Sequence, residues 1–384
     1  MEHEYDIVIV GAGPAGSTAA YYLGRTTDYR ILVLDRHAFP RYKACGGGLT
    51  YIDQWQGEFE HFDAVRESLP LLPITSVRQY WRGTMFWELR GRTWFAQVPR
   101  VLLDHALLSQ ALLLKNVAFH QERVVGLERM DGGTTHPWQV KTVGHRVRAR
   151  AVIGADGVFS TVRRILTGRR LPSAAYARCV GCEVRSAPAG REAHIFHRWS
   201  GVTGYGWCFP SANGYTFGLG TAGHPRLPLR AALNALHAEL RRREILPETH
   251  TIARTYGAGV PLQLTRWRAA DGVVLCGDAM GAVRQTSGEG IYYAMQTGKA
   301  AARTLREEMP PTRRHYAATL QPVLRDLRFW PLTVPVWVVR AVTFLLLLGL
   351  RLRIRAGRPA RWQWALLRYL SGESPRCRTG HRHD

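Results

Sequence analysis

The chain has 384 residues, 46% hydrophobic and 10% aromatic, enough for two domains with full cores and inconsistent with a disordered or low-complexity protein. Its net charge of +23 comes with only four lysines (Lys43, Lys115, Lys141, Lys299) among 52 basic residues; no nucleic-acid-binding motif accompanies them, so nucleic acid is not an expected partner. Six scattered cysteines make no disulfide framework and fit a reducing compartment.

The polar start Met1–Asp6 and the short apolar run Ile7–Val10 do not make a signal peptide, so the N-terminus is expected in the cytoplasm. Tyr5–Val10 reads as a parallel strand buried on both faces. It runs into Gly11-Ala-Gly13-Pro14-Ala15-Gly16 and then an expected helix from Ser17 to Leu23. Gly11 serves the tight turn, Gly13 the approach of a pyrophosphate, and Gly16 close helix–strand packing. The helix N-terminus offers N–H groups and its dipole to phosphate charge. Arg30–Leu34 is a second strand ending in Asp35, beside Arg36, and the Asp35 carboxylate suits ribose hydroxyls. This unit names a dinucleotide without choosing between NAD and FAD.

Phe39-Pro-Arg-Tyr-Lys-Ala-Cys45-Gly46-Gly47-Gly48-Leu49 follows, and Arg100 opens an apolar helix toward Leu107. Ala151–Gly154 is a buried strand leading to Ala-Asp156-Gly157 and a helix toward Arg163. Cys179-Val-Gly-Cys182 has redox or zinc spacing but lies in a strand-like context without a second pair. Tyr205, Trp207 and Phe209 alternate ahead of Pro210, so the three rings share one face of a strand. Gly218-Leu-Gly220-Thr-Ala-Gly223 mimics the nucleotide fingerprint, yet it reads as a glycine-rich strand end. Val273–Cys276 is a further strand, ending in Gly277-Asp278. Gly288-Glu289-Gly290-Ile291 opens a helix to Glu308, where Glu289 could supply a proton or cap the helix, the cap being the expectation. Asp278 at a strand's carboxyl end sits where α/β sheets bind ligands, and the Gly288–Gly290 turn offers backbone N–H groups at a helix start to an anionic or electron-rich ring edge.

These motifs resemble the group A flavin monooxygenase superfamily and, within it, the geranylgeranyl reductase family, over roughly residues 5 to 310. The Cys45-Gly-Gly-Gly stretch and the Tyr205-x-Trp-x-Phe-Pro motif carry the narrower resemblance. It implies FAD as cofactor, held by Gly11, Gly13, Pro14, Ala15, Gly16, Asp35, Arg36, Cys45, Gly46, Gly47, Arg100, Val124, Asp156, Gly277, Asp278, Gly288, Gly290 and Ile291. It also implies catalytic roles for Cys45, Tyr205 and Trp207, and substrate contacts from Tyr205, Trp207, Phe209 and Pro210. The chain departs from the family pattern at Val202, where a proline is common, and between Gly281 and Gly288.

The fold class expected is α/β: a Rossmann-like FAD-binding domain of three layers (ββα), an inserted α+β antiparallel-sheet substrate domain and a C-terminal helical segment. The expected boundaries are 1–70, 96–170 and 262–308 for the first, 71–95 and 171–261 for the second, and 309–384 for the third. The apolar run Pro331–Leu350, interrupted by Pro335 and Arg340, precedes nine arginines and two acids from Arg351 onward. Such a pair of segments suits an anionic membrane surface, so peripheral attachment to the inner face of the cell membrane is expected. The resemblance implies reduction of polyprenyl carbon–carbon double bonds with electrons from NAD(P)H or ferredoxin. A flavin hydroxylase or epoxidase and a lipid carrier without turnover are the alternatives.

Overall fold

A computed structural model describes residues 3–327, apart from 51, 131–133, 188–189, 223–227, 266–267 and 286. The apolar run 331–350 and the arginines after it lie outside the described residues.

An eight-stranded sheet is built on the buried strand His3–Val10, which pairs in parallel with Arg146–Gly154 on one side and Ile31–Asp35 on the other. Val117–Gln121 extends it beyond Ile31–Asp35, and Val273–Leu275 extends it beyond Arg146–Gly154, both in parallel. Residues Ile7, Val8, Ile9, Ile31, Leu32 and Val33 are fully buried, which explains their unbroken apolar pattern. The register sets Val10 opposite both Leu34 and Gly154, and Gly154 opposite Leu275. Four strands therefore end level, and Gly11, Asp35, Ala155 and Cys276 emerge along one edge. In parallel sheets that edge is where ligands bind.

Helix Pro14–Thr26 packs on this sheet against Ile291–Glu307, and the approach is close: a Cβ on Gly298 would lie 2.3 Å from the Ala15 carbonyl oxygen. Helix Arg313–Leu327, within the expected C-terminal segment, joins the same core through Tyr316, Leu320 and Leu324. The Tyr316 hydroxyl donates to the Leu275 carbonyl at 2.6 Å, fixing that helix to the strand that leads to Asp278.

The second sheet has seven strands in the order Thr251–Pro261, Tyr176–Arg185, Gly214–Thr221, Gly204–Ser211, Glu192–His197, Ser76–Trp81 and Thr84–Leu89. All neighbours are antiparallel except Glu192–His197 with Ser76–Trp81. Helix Leu229–Arg242 covers one face, packing Leu233, Leu236 and Leu240 against Cys182, Phe217 and Leu219. A small sheet of Gly48–Thr50, Phe95–Gln97 and Leu72–Ile74 stands beside the Cys45 turn. The architecture is the α/β class with an antiparallel second sheet that the sequence implies.

His61 is fully buried beneath the first helix, its Nε2 2.9 Å from the Thr18 hydroxyl, and burial pushes its pKa down to about 3. A base whose folded pKa is depressed stabilises fully above its unfolded pKa, near 6.5, and less as pH falls toward the folded value. Moving from pH 7 to pH 5 is therefore expected to cost wild type about 2 kcal/mol more than His61→Gln. Urea unfolding at the two pH values measures this, and equal losses contradict it.

Candidate functional site

The strand edge forms a cradle that only glycine backbone permits. Gly11 has φ +104°, and a Cβ there would lie 2.4 Å from the Ala155 carbonyl oxygen. A Cβ on Gly16 would lie 1.8 Å from the Gly11 oxygen. One on Gly13 meets just the Arg41 guanidinium, at 3.4 Å. Helix Pro14–Thr26 begins there without a side-chain cap, and Pro14 sacrifices no needed N–H at its start. The first-turn amides thus face the cradle, where an anion would satisfy them.

Asp35 accepts the Ala12 N–H on Oδ2 and the His37 N–H on Oδ1, each at 3.0 Å, so its carboxylate is held at the strand end. Val124 is buried at the start of the strand Val124–Arg129, which pairs with Trp138–Thr142, and the Glu122 N–H two residues before it donates to the Asp35 carbonyl at 2.8 Å. Arg36 is exposed, and among the described residues no hydrogen bond or ion pair ties it to the cradle. Asp156 turns back onto its own helix, accepting the N–H groups of Thr161 at 2.6 Å and Val162 at 3.2 Å. Its role in the structure is to start that helix while its backbone closes on Gly11.

A second group of residues gathers around the far end. Asp278 follows the strand Val273–Leu275, and its Oδ1 lies 3.3 Å from where a Cβ on Gly290 would be. Burial raises the Asp278 pKa, while Lys43, Arg100 and Arg163 pull it down. Ile291 packs with Leu49 and Trp55, which brings the Gly288–Ile291 turn against the segment after Cys45. Gly277 donates its N–H to the Thr297 hydroxyl at 2.8 Å, tying the Gly-Asp turn to that helix. Glu289 does not cap the helix as expected. The N-cap position belongs to Gly290, and the Glu289 carboxylate instead accepts the Thr50 hydroxyl.

Cys45 sits in a turn whose glycines are again forced. Gly47 has φ +72°, with a Cβ position 2.4 Å from the Val98 carbonyl oxygen. The Gly47 N–H reaches the Cys45 Sγ at 3.3 Å, and the Arg100 guanidinium interacts electrostatically with Cys45. Arg100 is itself clamped by fully buried Asp104, through Nε at 2.8 Å and a terminal nitrogen at 2.9 Å. Arg41 adds a second cation to Asp104 at 3.2 Å. That pairing joins the phosphate cradle to the Cys45 turn.

Tyr205, Trp207 and Phe209 share one face of their strand. A Cβ on Gly46 would come within 3.2 Å of the Phe209 ring and 3.4 Å of the Trp207 Nε1. The Tyr205 hydroxyl donates to the Ser287 carbonyl beside the Gly288 turn. Directly paired residues share a face, so Gly220 and Cys179 lie in the row of Tyr205, and Gly218 and Gly181 in the row of Trp207. Trp207 lies over Gly218 and Tyr256 over Gly181, each 2.6 Å from the missing Cβ, so the rings lie down on the sheet. The Gly218–Gly220 stretch is thus strand, and its glycines shape the wall. Pro210, expected among the substrate contacts, alternates with Gly206 and Cys208 onto the opposite face, so it does not share this wall. Cys179 and Cys182, three apart in a strand, also face opposite ways, and Cys182 belongs to the core under helix Leu229–Arg242.

The residues fit FAD: a glycine cradle at a helix start, a strand-end carboxylate, and a second turn at Gly288–Gly290 closing on Asp278. The buried Trp207 Nε1 has no hydrogen-bond partner, an orphan donor at this wall that a bound group would satisfy. Among the described residues no cluster suits a metal ion.

Residues 2–54 match the Thi4 family. Geranylgeranyl diphosphate reductase of Rhodobacter capsulatus is 34% identical over 311 residues, covering 78% of this chain and 74% of the relative. The chain belongs to the geranylgeranyl reductase family. As a member it is an FAD-dependent oxidoreductase. Menaquinone reductase of Mycolicibacterium smegmatis is 30% identical over 79% of this chain and 76% of its own. A geranylgeranyl bacteriochlorophyll reductase-like protein of Thermoplasma acidophilum shares the fold, with a TM-score of 0.72 and 19% identity over 85% of this chain and 84% of that one.

Sequence reasoning missed Arg41, Thr50 and Asp104. Asp104 carried a signal, an acid four residues after Arg100 in an otherwise apolar helix. Arg41 and Thr50 carried none, because their partners are distant in sequence.

Proposed function

We propose that the chain reduces isolated carbon–carbon double bonds of a geranylgeranyl or other polyprenyl chain carried on a lipid, quinone or diphosphate. The observation that carries this reading is the wall itself: three rings on one strand, laid against the Cys45–Gly48 turn and backed by same-face glycines. Bound FAD, once reduced, supplies the hydride. The chain's own residues hold the alkene, exclude water and place a proton donor, since an unpolarised double bond offers no handle of its own. Tyr205, Trp207 and Phe209 provide an apolar face for the isoprenoid. Cys45 is assigned to the reacting end in this reading, supported by the Gly47 N–H that its sulfur accepts and by the neighbouring Arg100.

The site residues proposed for FAD are the cradle from Gly11 to Gly16, Asp35, the Cys45–Gly47 turn, Arg100, Val124, Asp156, Gly277, Asp278 and Gly288–Ile291. Electrons come from an external donor, and NAD(P)H or a ferredoxin is proposed. Attachment to a membrane surface through 331–350 and the arginines beyond is part of the same proposal; no described helix is long and apolar enough to cross a membrane.

The test incubates reduced enzyme with geranylgeranyl diphosphate, a prenylquinone and a geranylgeranyl lipid, and reads product masses. A gain of two hydrogens per step with one carrier identifies the substrate. A gain of one oxygen, only in air, identifies a monooxygenase instead. Cys45→Ser is expected to keep its FAD and lose turnover about 10-fold or more, through misplacement of the reacting end rather than loss of a proton. Unchanged turnover removes Cys45 from the chemistry.

A further inference from the structure

Adding a hydride to an alkene also consumes a proton, and the cavity must hold one where water is scarce. Burial pushes the Tyr205 phenol up, which makes it a reluctant donor. Glu289 is different in its surroundings. Its side chain is 5% exposed, and Oε1 accepts the Thr50 hydroxyl across 239 residues of sequence. Oε2 is buried without a hydrogen bond, and its ion pair with the Arg284 Nε is long, at 3.7 Å. Arg284 turns instead to the Tyr293 hydroxyl at 3.0 Å and to Asp326 at 3.5 Å. Tyr293 in turn donates to Asp326 at 2.8 Å. A buried carboxylate oxygen with a long ion pair and no hydrogen bond is costly, and a protonated carboxyl is less so.

We propose that Glu289 stores the proton consumed in double-bond reduction and delivers it through the Thr50 hydroxyl. This rests on the reductase reading above. Thr50 ends the short strand Gly48–Thr50, continuous with the Cys45 turn that meets Trp207 and Phe209. When Glu289 is ionised, Thr50 donates to Oε1; when it is protonated, Oε1–H donates to the Thr50 oxygen instead, and the Thr50 hydroxyl releases its own proton as it takes the one from Glu289. The alkene π bond opens, one carbon takes the hydride from reduced flavin, and its neighbour takes the proton. Glu289 is left as a carboxylate facing Arg284, and solvent returns the proton between turnovers.

The titratable groups facing Glu289 are Arg284 and Asp326, Tyr292 and Tyr293 on the helix that follows, and Tyr205 on the sheet. Burial, opposed by Arg284 and reinforced by Asp326, pushes Glu289 up to about 7, where a general acid serves best. Below that pH the carboxyl is loaded; above it the store empties and the rate falls.

The experiment compares wild type, Glu289→Gln and Thr50→Val as FAD-loaded enzymes over about pH 5 to 9. Turnover of Glu289→Gln is expected to fall about 10²- to 10⁴-fold with KM little changed, and its inflection near neutrality to vanish. Thr50→Val is expected to slow turnover while keeping that inflection. Independently of any substrate, infrared spectra of ¹³C-glutamate-labelled enzyme should show a carboxyl titrating near 7 that Glu289→Gln lacks. Wild-type turnover with an unmoved Glu289→Gln profile, or a Glu289 ionised throughout, overturns the inference alone. A wild type that reduces no prenyl chain overturns the reductase reading and this inference with it.

Discussion

Gly16→Ala is expected to give protein without flavin. The added Cβ would stand 1.8 Å from the Gly11 carbonyl oxygen and 3.3 Å from the Ala155 Cβ. The first neighbour is backbone, and it cannot yield locally. The Gly11 N–H is bonded to Leu34 at 2.7 Å, the Ala155 N–H to Val10 at 2.8 Å, and the Ser17 hydroxyl to Ala12 at 3.1 Å. Relief comes by lifting the helix from the sheet, at about 1–3 kcal/mol for ordinary overpacking and more against fixed backbone. That movement withdraws the helix N-terminus from the phosphate it is proposed to bind. Gly13→Ala is the control, because its Cβ meets just the flexible end of Arg41. It should fold and hold FAD less tightly. Flavin absorbance per protein measures both, and a Gly16→Ala protein with full flavin contradicts the cradle.

Asp104→Ala is expected to cost about 3–5 kcal/mol, because it strands the buried Arg100 and leaves Arg41 its longer pair with Asp35, at 3.9 Å. Asp104 is fully buried and carries Arg100 bidentately and Arg41 singly. Asp104 holds the Arg100 guanidinium above its ordinary range, against the cost of burial. Removing the acid leaves that cost standing alone. Asp104→Asn keeps two polar atoms and should lose less. Combining Asp104→Ala with Arg100→Met should recover part of the loss, since each single change then removes the other's partner. Denaturant unfolding measures the cycle, and a loss below about 1 kcal/mol for Asp104→Ala would place the pair outside the stabilising core.

The two variants probe parts of the site that were unequally legible in the sequence. The cradle was legible because its logic is local: strand, turn, helix and strand-end acid follow within 35 residues, and each glycine has a steric reason at its own position. The aromatic wall was legible from alternation alone, yet the same alternation excludes Pro210, which a motif carried over as a unit had included. Glu289 shows the opposite failure. Its place at a helix start left a cap and a proton donor open and favoured the cap, but the cap position went to Gly290, and the carboxylate found Thr50 by a contact that spacing does not reveal. Arg41 was opaque for the same reason, as its partner Asp104 lies in another element. Same-face glycines at 218 and 220 were visible as a pattern; that they floor the wall required the register of three strands.

The central claim is that reduced flavin in this chain passes its electrons to a prenyl double bond. Its most direct measurement is made without oxygen, by mixing chemically reduced, FAD-loaded enzyme with the accepted prenyl substrate and following flavin absorbance in a single turnover. The expected result is recovery of the oxidised spectrum, with one product molecule heavier by two hydrogens for each flavin reoxidised. A flavin that stays reduced without oxygen and reoxidises only in air, with oxygen in the product, contradicts it.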